Sequence, residues 1–109
     1  MHTHIQTQHD DILQRFVQTL QAQLGDHLRQ VILFGSRARG DNAPDSDYDC
    51  LVIVDAVSPD LLNILDQVAG EFLYTYNRIF SVVPVSEKRH RQQIYNPLFM
   101  NVSKEGIPL

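Results

Sequence analysis

Residues 31–54 read VILFGSRARGDNAPDSDYDCLVIV, two apolar segments separated by a polar loop. Val31 to Phe34 is apolar throughout, and the segment from Asp49 to Val54 is apolar after its first residue. Strands that are apolar on both faces are typical of the middle of a sheet. We therefore expect two neighbouring central strands. The loop between them is rich in Gly, Ser, Asn and Pro, and residues 36–39 could form one helical turn that Gly40 ends.

The flanking segments carry signals for further helices and one more strand. From His9 to Leu24, apolar residues recur at three- and four-residue spacing, which predicts an amphipathic helix that Gly25 ends. The other predicted elements are a helix from Pro59 to Tyr74 capped by Ser58, a strand from Ile79 to Val85 that Pro84 restricts to an edge or a terminus, a basic helix from Ser86 to Ile94, and a short helix between Asn96 and Gly106. This order predicts an α/β protein in which a small mixed β-sheet is packed with helices.

Length and composition limit what the chain can be. With 109 residues, of which 43% are hydrophobic and 20% charged, it has the size and apolar content of a single folded domain spanning residues 1–109. The single cysteine, Cys50, excludes an internal disulfide and a multi-thiolate zinc site. A formal net charge of -4 argues against a general nucleic-acid binder. No membrane span or signal peptide is evident, so we expect a cytoplasmic protein.

The loop begins with Gly35 and Ser36, a pair that suits phosphate binding. Glycine lets a phosphate approach the backbone closely, and the serine hydroxyl and free N–H groups can donate hydrogen bonds to it. A helical turn starting here would direct its positive end at the same anion. A Gly-Ser pair after a strand is more often only a turn, and this alternative stays open.

The loop ends with Asp47 and Asp49, two carboxylates at alternate positions. In an extended segment, residues two apart point the same way. Two such charges about 6 Å apart repel by roughly 3 kcal/mol at an effective dielectric near 20. A divalent cation is the simplest compensation, and carboxylate oxygens suit Mg²⁺ or Mn²⁺. The alternative is an acidic surface loop.

The two halves together resemble a known family. The string Gly35-Ser36-x-Ala38-x-Gly40, followed by Ser46-Asp47-x-Asp49 and an apolar strand, is similar to the DNA polymerase β-like nucleotidyltransferase superfamily. Within it, the chain is most similar to the minimal nucleotidyltransferase branch. Residues 96–106 also resemble the C-terminal segment of that branch. The resemblance implies the polymerase β-like nucleotidyltransferase fold.

The same resemblance implies transfer of AMP from ATP to an acceptor hydroxyl, with release of pyrophosphate. It implies that Asp47 and Asp49 are catalytic and bind two Mg²⁺ or Mn²⁺ ions, for in-line displacement at the α-phosphorus. The nucleotide-binding residues that it implies are Gly35, Ser36, Arg37 and Arg39. Ser36 and the Gly35 backbone would hold the β- and γ-phosphates, whereas the two arginines would add positive charge or simply face solvent.

One position departs from the family pattern. Active members place a third carboxylate on the next strand, where this chain has Ser81. Serine is a poor metal ligand and cannot act unaided as a general base at neutral pH. Glu87 and Asp55 are the nearest acids in sequence that could substitute. Otherwise the enzyme is slow, a partner supplies the group, or the chain binds nucleotide without turnover.

Two functions of different classes follow. By resemblance, the chain is an antitoxin that adenylylates a tyrosine of a helical HEPN-type toxin. The alternative is a nucleotide-binding antitoxin that inhibits its partner by binding alone, which Ser81 favours. The basic run at residues 88–91 is the best candidate for a partner surface, against the alternative of a solvated helix face. Assembly into homo-oligomers or hetero-oligomers is left open.

Overall fold

A computed structural model describes residues 10–109, and this range contains five α-helices and four strands. The helices are α1 (Asp11–Leu24), α2 (Ser36–Arg39), α3 (Pro59–Tyr76), α4 (Glu87–Gln92) and α5 (Pro97–Glu105), and the strands are β1 (Leu28–Phe34), β2 (Tyr48–Val54), β3 (Phe80–Ser86) and β4 (Ile107–Pro108). A 3₁₀ turn at Gly25–His27 joins α1 to β1. His9, where the sequence predicted the first helix to begin, lies outside the described residues.

The strands form one mixed sheet in the order β3-β2-β1-β4. β1 pairs antiparallel with β2 and with β4, whereas β2 and β3 are parallel. β1 and β2 are therefore the central strands, as their apolar sequences predicted. Pro84 lies in β3 at the edge of the sheet, where its missing N–H is tolerated. The predicted fold class is confirmed.

β2 and β3 differ from the predicted segments by one residue at one or both ends, and the two larger differences in the strands have local causes. β1 begins at Leu28 rather than Val31, because Gln30 pairs with Ile53 of β2 although it breaks the apolar run. β4 was not predicted, since a strand of two residues has no periodicity to detect. It forms because Ile107 pairs with Leu33 after α5 has returned the chain to the free edge of β1.

Two helices, α3 and α5, begin at the capping residues that the sequence predicted, whereas the caps of α1 and α4 were not predicted. The side chains that accept hydrogen bonds from N–H groups in the first turns of α1, α3, α4 and α5 belong to Asp10, Ser58, Ser86 and Asn96. α3 runs two residues beyond the predicted Tyr74, to Tyr76, and is capped by Asn77, which adopts a left-handed conformation with φ 54°. None of the helices in residues 10–109 is long and apolar enough to cross a membrane.

Both faces of the sheet are covered. Alternate residues of the central strands face α1 and α3, where the rings of Phe16 and Phe80 stack with centroids 3.9 Å apart. Leu51 lies on the opposite face and packs with Phe99 of α5. Cys50 is fully buried, and burial raises the pKa of its thiol to about 12. It is a small core residue, as expected, and not a reactive thiol.

Candidate active site

The register of β1 and β2 brings the two predicted halves of the site together. Phe34, the last residue of β1, lies opposite Asp49 in the antiparallel ladder. The turn that follows Phe34 at Gly35 therefore begins beside Asp49. Asp47 lies two residues earlier on the segment that enters β2. The phosphate-binding turn and the carboxylate pair that the sequence suggested thus belong to one end of the sheet.

Gly35 packs directly against the carboxylate of Asp49. Its backbone has φ 77° and ψ −157°, a conformation that residues with a side chain rarely adopt. A Cβ at this position would overlap Asp49 Oδ2 and would lie 3.2 Å from its Cγ. Only glycine therefore allows the backbone of the turn to approach the carboxylate this closely.

Ser36 begins α2, the single helical turn that the sequence predicted. The Gly35 carbonyl accepts a hydrogen bond from Ala38 N–H at 3.1 Å, and the Ser36 carbonyl accepts one from Gly40 N–H at 2.9 Å. Ala38 is buried and anchors the turn in the core. The Ser36 side chain is only partly buried, and within residues 10–109 its hydroxyl makes no hydrogen bond. The hydroxyl is therefore available to a ligand.

The two aspartates differ in their surroundings. Asp47 is exposed, whereas Asp49 is partly buried. Burial raises the pKa of Asp49, and the neighbouring charge of Asp47 raises it further, while Arg39 opposes the rise. Among the described residues neither carboxylate accepts a hydrogen bond or forms an ion pair. Because an unpaired, partly buried carboxylate beside a second one is costly, this geometry favours a cation site over an acidic surface loop.

The available ligands fit a metal that is shared with a phosphate. Carboxylate oxygens suit Mg²⁺ and Mn²⁺, and Mg²⁺ usually binds through one or two carboxylates together with waters and substrate phosphates. No cluster of three or more His, Cys, Asp or Glu side chains that could hold a metal occurs in residues 10–109. Asp47 and Asp49 therefore suit an ion that arrives with a triphosphate and do not make a self-contained metal site.

Ser81 occupies the place beside Asp49 on the neighbouring strand. The two residues are partners in the parallel ladder of β2 and β3, so their side chains share one face of the sheet. This is the position at which the resemblance implies a third carboxylate. Gly35 follows β1 on one side of β2, and Ser81 lies in β3 on the other side. With a serine at this position, β3 contributes no acid beside Asp49.

The two acids that we considered as substitutes lie at the other end of the sheet. Asp55 follows β2, and its carboxylate is 2.7 Å from His27 Nδ1. Glu87 follows β3 and lies 3.8 Å from each of two arginines on that side. Because a strand rises about 3.3 Å per residue, Asp55 is about 20 Å along β2 from Asp49. Neither acid can replace the missing carboxylate.

Arg39 is the cation that the structure places at the carboxylates. Its side chain is 46% exposed and lies between two acids, with Nε 3.2 Å from Asp41 Oδ2 and one terminal nitrogen 3.1 Å from Glu105 Oε1. The pKa of Arg39 is raised by these hydrogen bonds. Sequence reasoning missed Glu105, which is 66 residues from Arg39. It reaches the site because β4 pairs with β1, a contact with no sequence signal.

Arg37 is not among the groups that the structure brings to the carboxylates. Its guanidinium donates hydrogen bonds to the Ser46 and Pro44 carbonyls at 2.9 and 3.0 Å and lies 4.0 Å above the ring of Tyr48. Tyr48 and Asp49 are consecutive in β2, so their side chains point to opposite faces of the sheet. The expectation that Arg37 adds charge near the phosphates or faces solvent does not match this position, since only 12% of the side chain is exposed.

Comparison with known proteins agrees with this geometry. A family model described as a nucleotidyltransferase domain matches residues 13–98, and the chain therefore belongs to this family. Two proteins of Methanocaldococcus jannaschii, each named "Putative protein adenylyltransferase", are similar to it. MJ1305 is 33% identical over 96 residues and MJ0604 is 30% identical over 94 residues, covering 85% and 86% of this chain. The chain spans 65% of the length of the first relative and 90% of the second.

Solved structures of other proteins have the same fold. A mutant of the toxin-antitoxin MntA-HpeT matches with a TM-score of 0.63 at 18% identity, covering 88% of this chain and 69% of that one. A toxin-antitoxin structure with AMP-PNP matches with a TM-score of 0.59 at 18% identity, covering 86% and 69%. At this identity the likeness shows the fold alone. The nucleotidyltransferase fold and an enzyme of this type, both expected from the sequence, are confirmed at the level of the family.

Proposed function

We propose that the chain transfers AMP from ATP to a hydroxyl group of a partner protein, and that it acts as the antitoxin of a toxin-antitoxin pair. The observation that carries the proposal is the contact between Gly35 and the Asp49 carboxylate. It supports a phosphate-binding role for the turn at Gly35 and Ser36, because a metal held by Asp47 and Asp49 would lie beside it. A turn that serves only the fold has no need of a glycine pressed against an ionisable group. Similarity to proteins named adenylyltransferases supports the choice of reaction.

The nucleotide would be held by the turn and by Arg39. The Ser36 hydroxyl can donate to a phosphate oxygen, because it makes no hydrogen bond to another residue in the range 10–109. Arg39 is exposed and would exchange one of its carboxylate partners for a phosphate. The fold neighbour with AMP-PNP supports a nucleotide ligand.

Asp47 and Asp49 would hold Mg²⁺ or Mn²⁺. When bound, the metal would neutralise charge on the triphosphate and on the acceptor oxygen. Burial and the charge of Asp47 raise the pKa of Asp49, so the negative charge of its carboxylate is poorly stabilised unless a cation is bound. The carboxylates would orient the nucleotide so that its α-phosphorus faces the side of Ser81, where the acceptor hydroxyl would approach.

The acceptor would be a tyrosine of a helical HEPN-type toxin, and the toxin-antitoxin neighbours support a toxin as partner. Because Ser81 cannot act unaided as a general base, the acceptor hydroxyl would depend on a group from the partner or would react slowly. A cytoplasmic location, expected from the sequence, accompanies this function as a prediction.

A second function is favoured by Ser81. Without a third acid, the chain would bind nucleotide and inhibit the toxin by covering it, with no transfer. Both functions predict a complex with the toxin, so complex formation does not separate them.

Transfer of label separates the two functions. The protein is incubated with Mg²⁺, α-labelled ATP and a HEPN-type toxin encoded by the neighbouring gene, and label on the toxin is measured. The comparison uses Asp47→Asn and Asp49→Asn, with Asp55→Asn as the matched control at the other end of the sheet. Transfer is expected from the wild type and from Asp55→Asn, and not from the other two. Inhibition of the toxin by all four proteins without label would establish inhibition by binding alone.

A further inference from the structure

We propose that Arg37 is a positioning residue that fixes the Ser36 turn and Asp47 relative to each other, and that it does not bind phosphate. This inference deepens the proposed function and rests on it. It differs from the role that the family motif suggests for an arginine next to the Gly-Ser pair.

Arg37 joins the two halves of the site by its place in the chain and by its hydrogen bonds. It directly follows Ser36, and its Nε donates to the carbonyl of Ser46, the residue directly before Asp47. A terminal nitrogen donates to the Pro44 carbonyl at 3.0 Å. The other hydrogen bonds of this turn, between Ala43 and Ser46, are internal to it. Arg37 therefore ties the irregular segment that carries Asp47 to α2.

The Arg37 guanidinium is itself held in place by Tyr48 and Asp10. Its Cζ lies over the ring of Tyr48, 4.0 Å from the ring centroid, a cation–π contact in a partly desolvated setting. Tyr48 is buried, and its hydroxyl donates to Asp10 Oδ2 at 2.6 Å. The Asp10 carboxylate, which also caps α1, lies 4.0 Å from a terminal nitrogen of Arg37. The positive charge of Arg37 is thus partly compensated before any nucleotide arrives.

The position of Arg37 is unsuited to a phosphate contact. Its neighbour Tyr48 packs on the face of the sheet that α1 and α3 cover, whereas Asp49 is on the face that α5 covers. To reach a phosphate beside Asp49, the guanidinium would have to leave both carbonyls and the Tyr48 ring. Arg39 is two residues further along α2, is exposed, and needs no such rearrangement.

Arginine is specifically suited to this role. Its planar fork donates to two carbonyls while its face stacks on an aromatic ring, whereas a lysine ammonium is a point charge that cannot do both. Arg37→Lys therefore keeps the charge and removes the connection. Arg39→Lys makes the same change two residues away and is the matched control.

The decisive measurement is the affinity for ATP with and without Mn²⁺, determined by calorimetric titration. Because Asp47 and Asp49 suit an ion that arrives with a triphosphate, their contribution is the gain in ATP affinity that Mn²⁺ gives. We expect Arg37→Lys to reduce this gain by about tenfold, the lower end of what loss of an outer-shell contact costs a metal site, and to leave metal-free ATP binding within about twofold. Arg39→Lys should weaken metal-free ATP binding and leave the gain from Mn²⁺ within about twofold. In the transfer reaction, Arg37→Lys should lower kcat, and Arg39→Lys should mainly raise KM. Weaker metal-free ATP binding in Arg37→Lys together with an unchanged gain from Mn²⁺ would overturn the proposal and make Arg37 a phosphate ligand.

Two further measurements keep the test independent of metal binding and of the stability of the variant. Hydrogen exchange of residues 42–47 should accelerate in Arg37→Lys and stay unchanged in Arg39→Lys. In the wild type, NMR of the arginine Nε–H groups should show that Mg²⁺ and ATP shift the signal of Arg39 and leave that of Arg37 in place. If the wild type binds no ATP with or without Mn²⁺, the proposed function fails, while the hydrogen exchange of residues 42–47 still decides the role of Arg37. A shifted Arg37 signal or unchanged exchange would refute it.

Discussion

The two ends of the central strands carry acids in opposite circumstances. At one end, Asp47 and Asp49 have no ion-pair partner among the described residues. At the other end, Asp55 is 2.7 Å from His27 and Glu87 faces two arginines. The pKa of Asp55 is lowered by its hydrogen bond to His27, whereas burial raises the pKa of Asp49. We call these the paired end, with Asp55 and Glu87, and the unpaired end, with Asp47 and Asp49. At the unpaired end, the charge of the two carboxylates is compensated only when a ligand brings a cation.

Whether an acid has an ion-pair partner helps to distinguish structural from functional acids. Selection for stability alone favours paired carboxylates, because unpaired carboxylates that lie close together repel. The unpaired acids lie where a glycine with positive φ and a free hydroxyl also lie, beside Gly35 and Ser36. Groups that are costly in the free protein thus coincide at one end of the sheet, as is typical of functional sites.

The largest expected effect comes from completing the unpaired end. Ser81→Asp places a third carboxylate beside Asp49, on the same face of the sheet. A positioned general base contributes roughly 10²- to 10⁴-fold to a rate, so we expect label transfer to rise by about 10²-fold. The rate is measured under single-turnover conditions with saturating ATP and Mg²⁺.

Ser86→Asp is the matched control, since Ser86 belongs to the same strand but lies at its paired end. Aspartate retains the capping bond that Ser86 makes with Arg89 N–H, so the fold should tolerate it. The transfer rate should stay at the wild-type value. Equal rates in the two variants would show that the absent acid is not what limits the reaction.

The second effect concerns the glycine at the unpaired end. In Gly35→Ala, the new Cβ meets the Asp49 carboxylate and the backbone keeps a strained φ, so we expect a loss of about 1–3 kcal/mol in the free energy of unfolding. Gly70→Ala lies within α3 with open space around it and should gain up to about 1 kcal/mol. Urea denaturation measures both. A Gly35→Ala protein as stable as Gly70→Ala would mean that the close approach to Asp49 is not required.

The third effect is a difference of sign in pH dependence. Because the folded-state pKa of Asp49 is raised above 3.8, its ionisation lowers stability at neutral pH, and this penalty disappears as the pH falls below 3.8. The pKa of Asp55 is lowered, so its ionisation adds stability above 3.8, and this contribution is lost as the pH falls through the lowered pKa. At neutral pH, Asp49→Asn should therefore be more stable than the wild type and Asp55→Asn less stable.

Because solvent screens the Asp49 charge, we expect the free energies of unfolding of Asp49→Asn and the wild type to differ by less than about 1 kcal/mol. Urea denaturation of the wild type and both variants, at neutral pH and at about pH 3, measures the two differences. The Asp49 difference should vanish at the lower pH, and the Asp55 difference should shrink there without changing sign. Differences of the same sign at neutral pH would contradict the contrast between the two ends.

Features that depend on residues close together in the sequence could be predicted, whereas contacts between residues far apart in the sequence could not. The central strands, the helix caps and the neighbourhood of Gly35 and Asp49 follow from local patterns, because two adjacent apolar strands fix where their ends meet. The role of Arg37 could not be read in this way, since it depends on which face of β2 the Tyr48 ring occupies. Glu105 was missed because the packing of α5 on the sheet and the pairing of β4 with β1, neither of which a local pattern predicts, bring it to the site.

The smallest expected effect comes from Glu105, whose carboxylate pairs with Arg39 from 66 residues away in the sequence. Glu105→Gln keeps an oxygen that can accept from Arg39 and removes one negative charge from a site for a polyanion. At a partly exposed position, removal of this repulsion is worth about 0.5 kcal/mol, so ATP should bind about twofold more tightly. Glu71→Gln, an exposed change in α3, should have no effect. The gain should shrink as salt is added, because screening weakens the repulsion that was removed. Weaker ATP binding in Glu105→Gln would mean that the charge of Glu105 holds Arg39 in its binding position and does not compete with the phosphates.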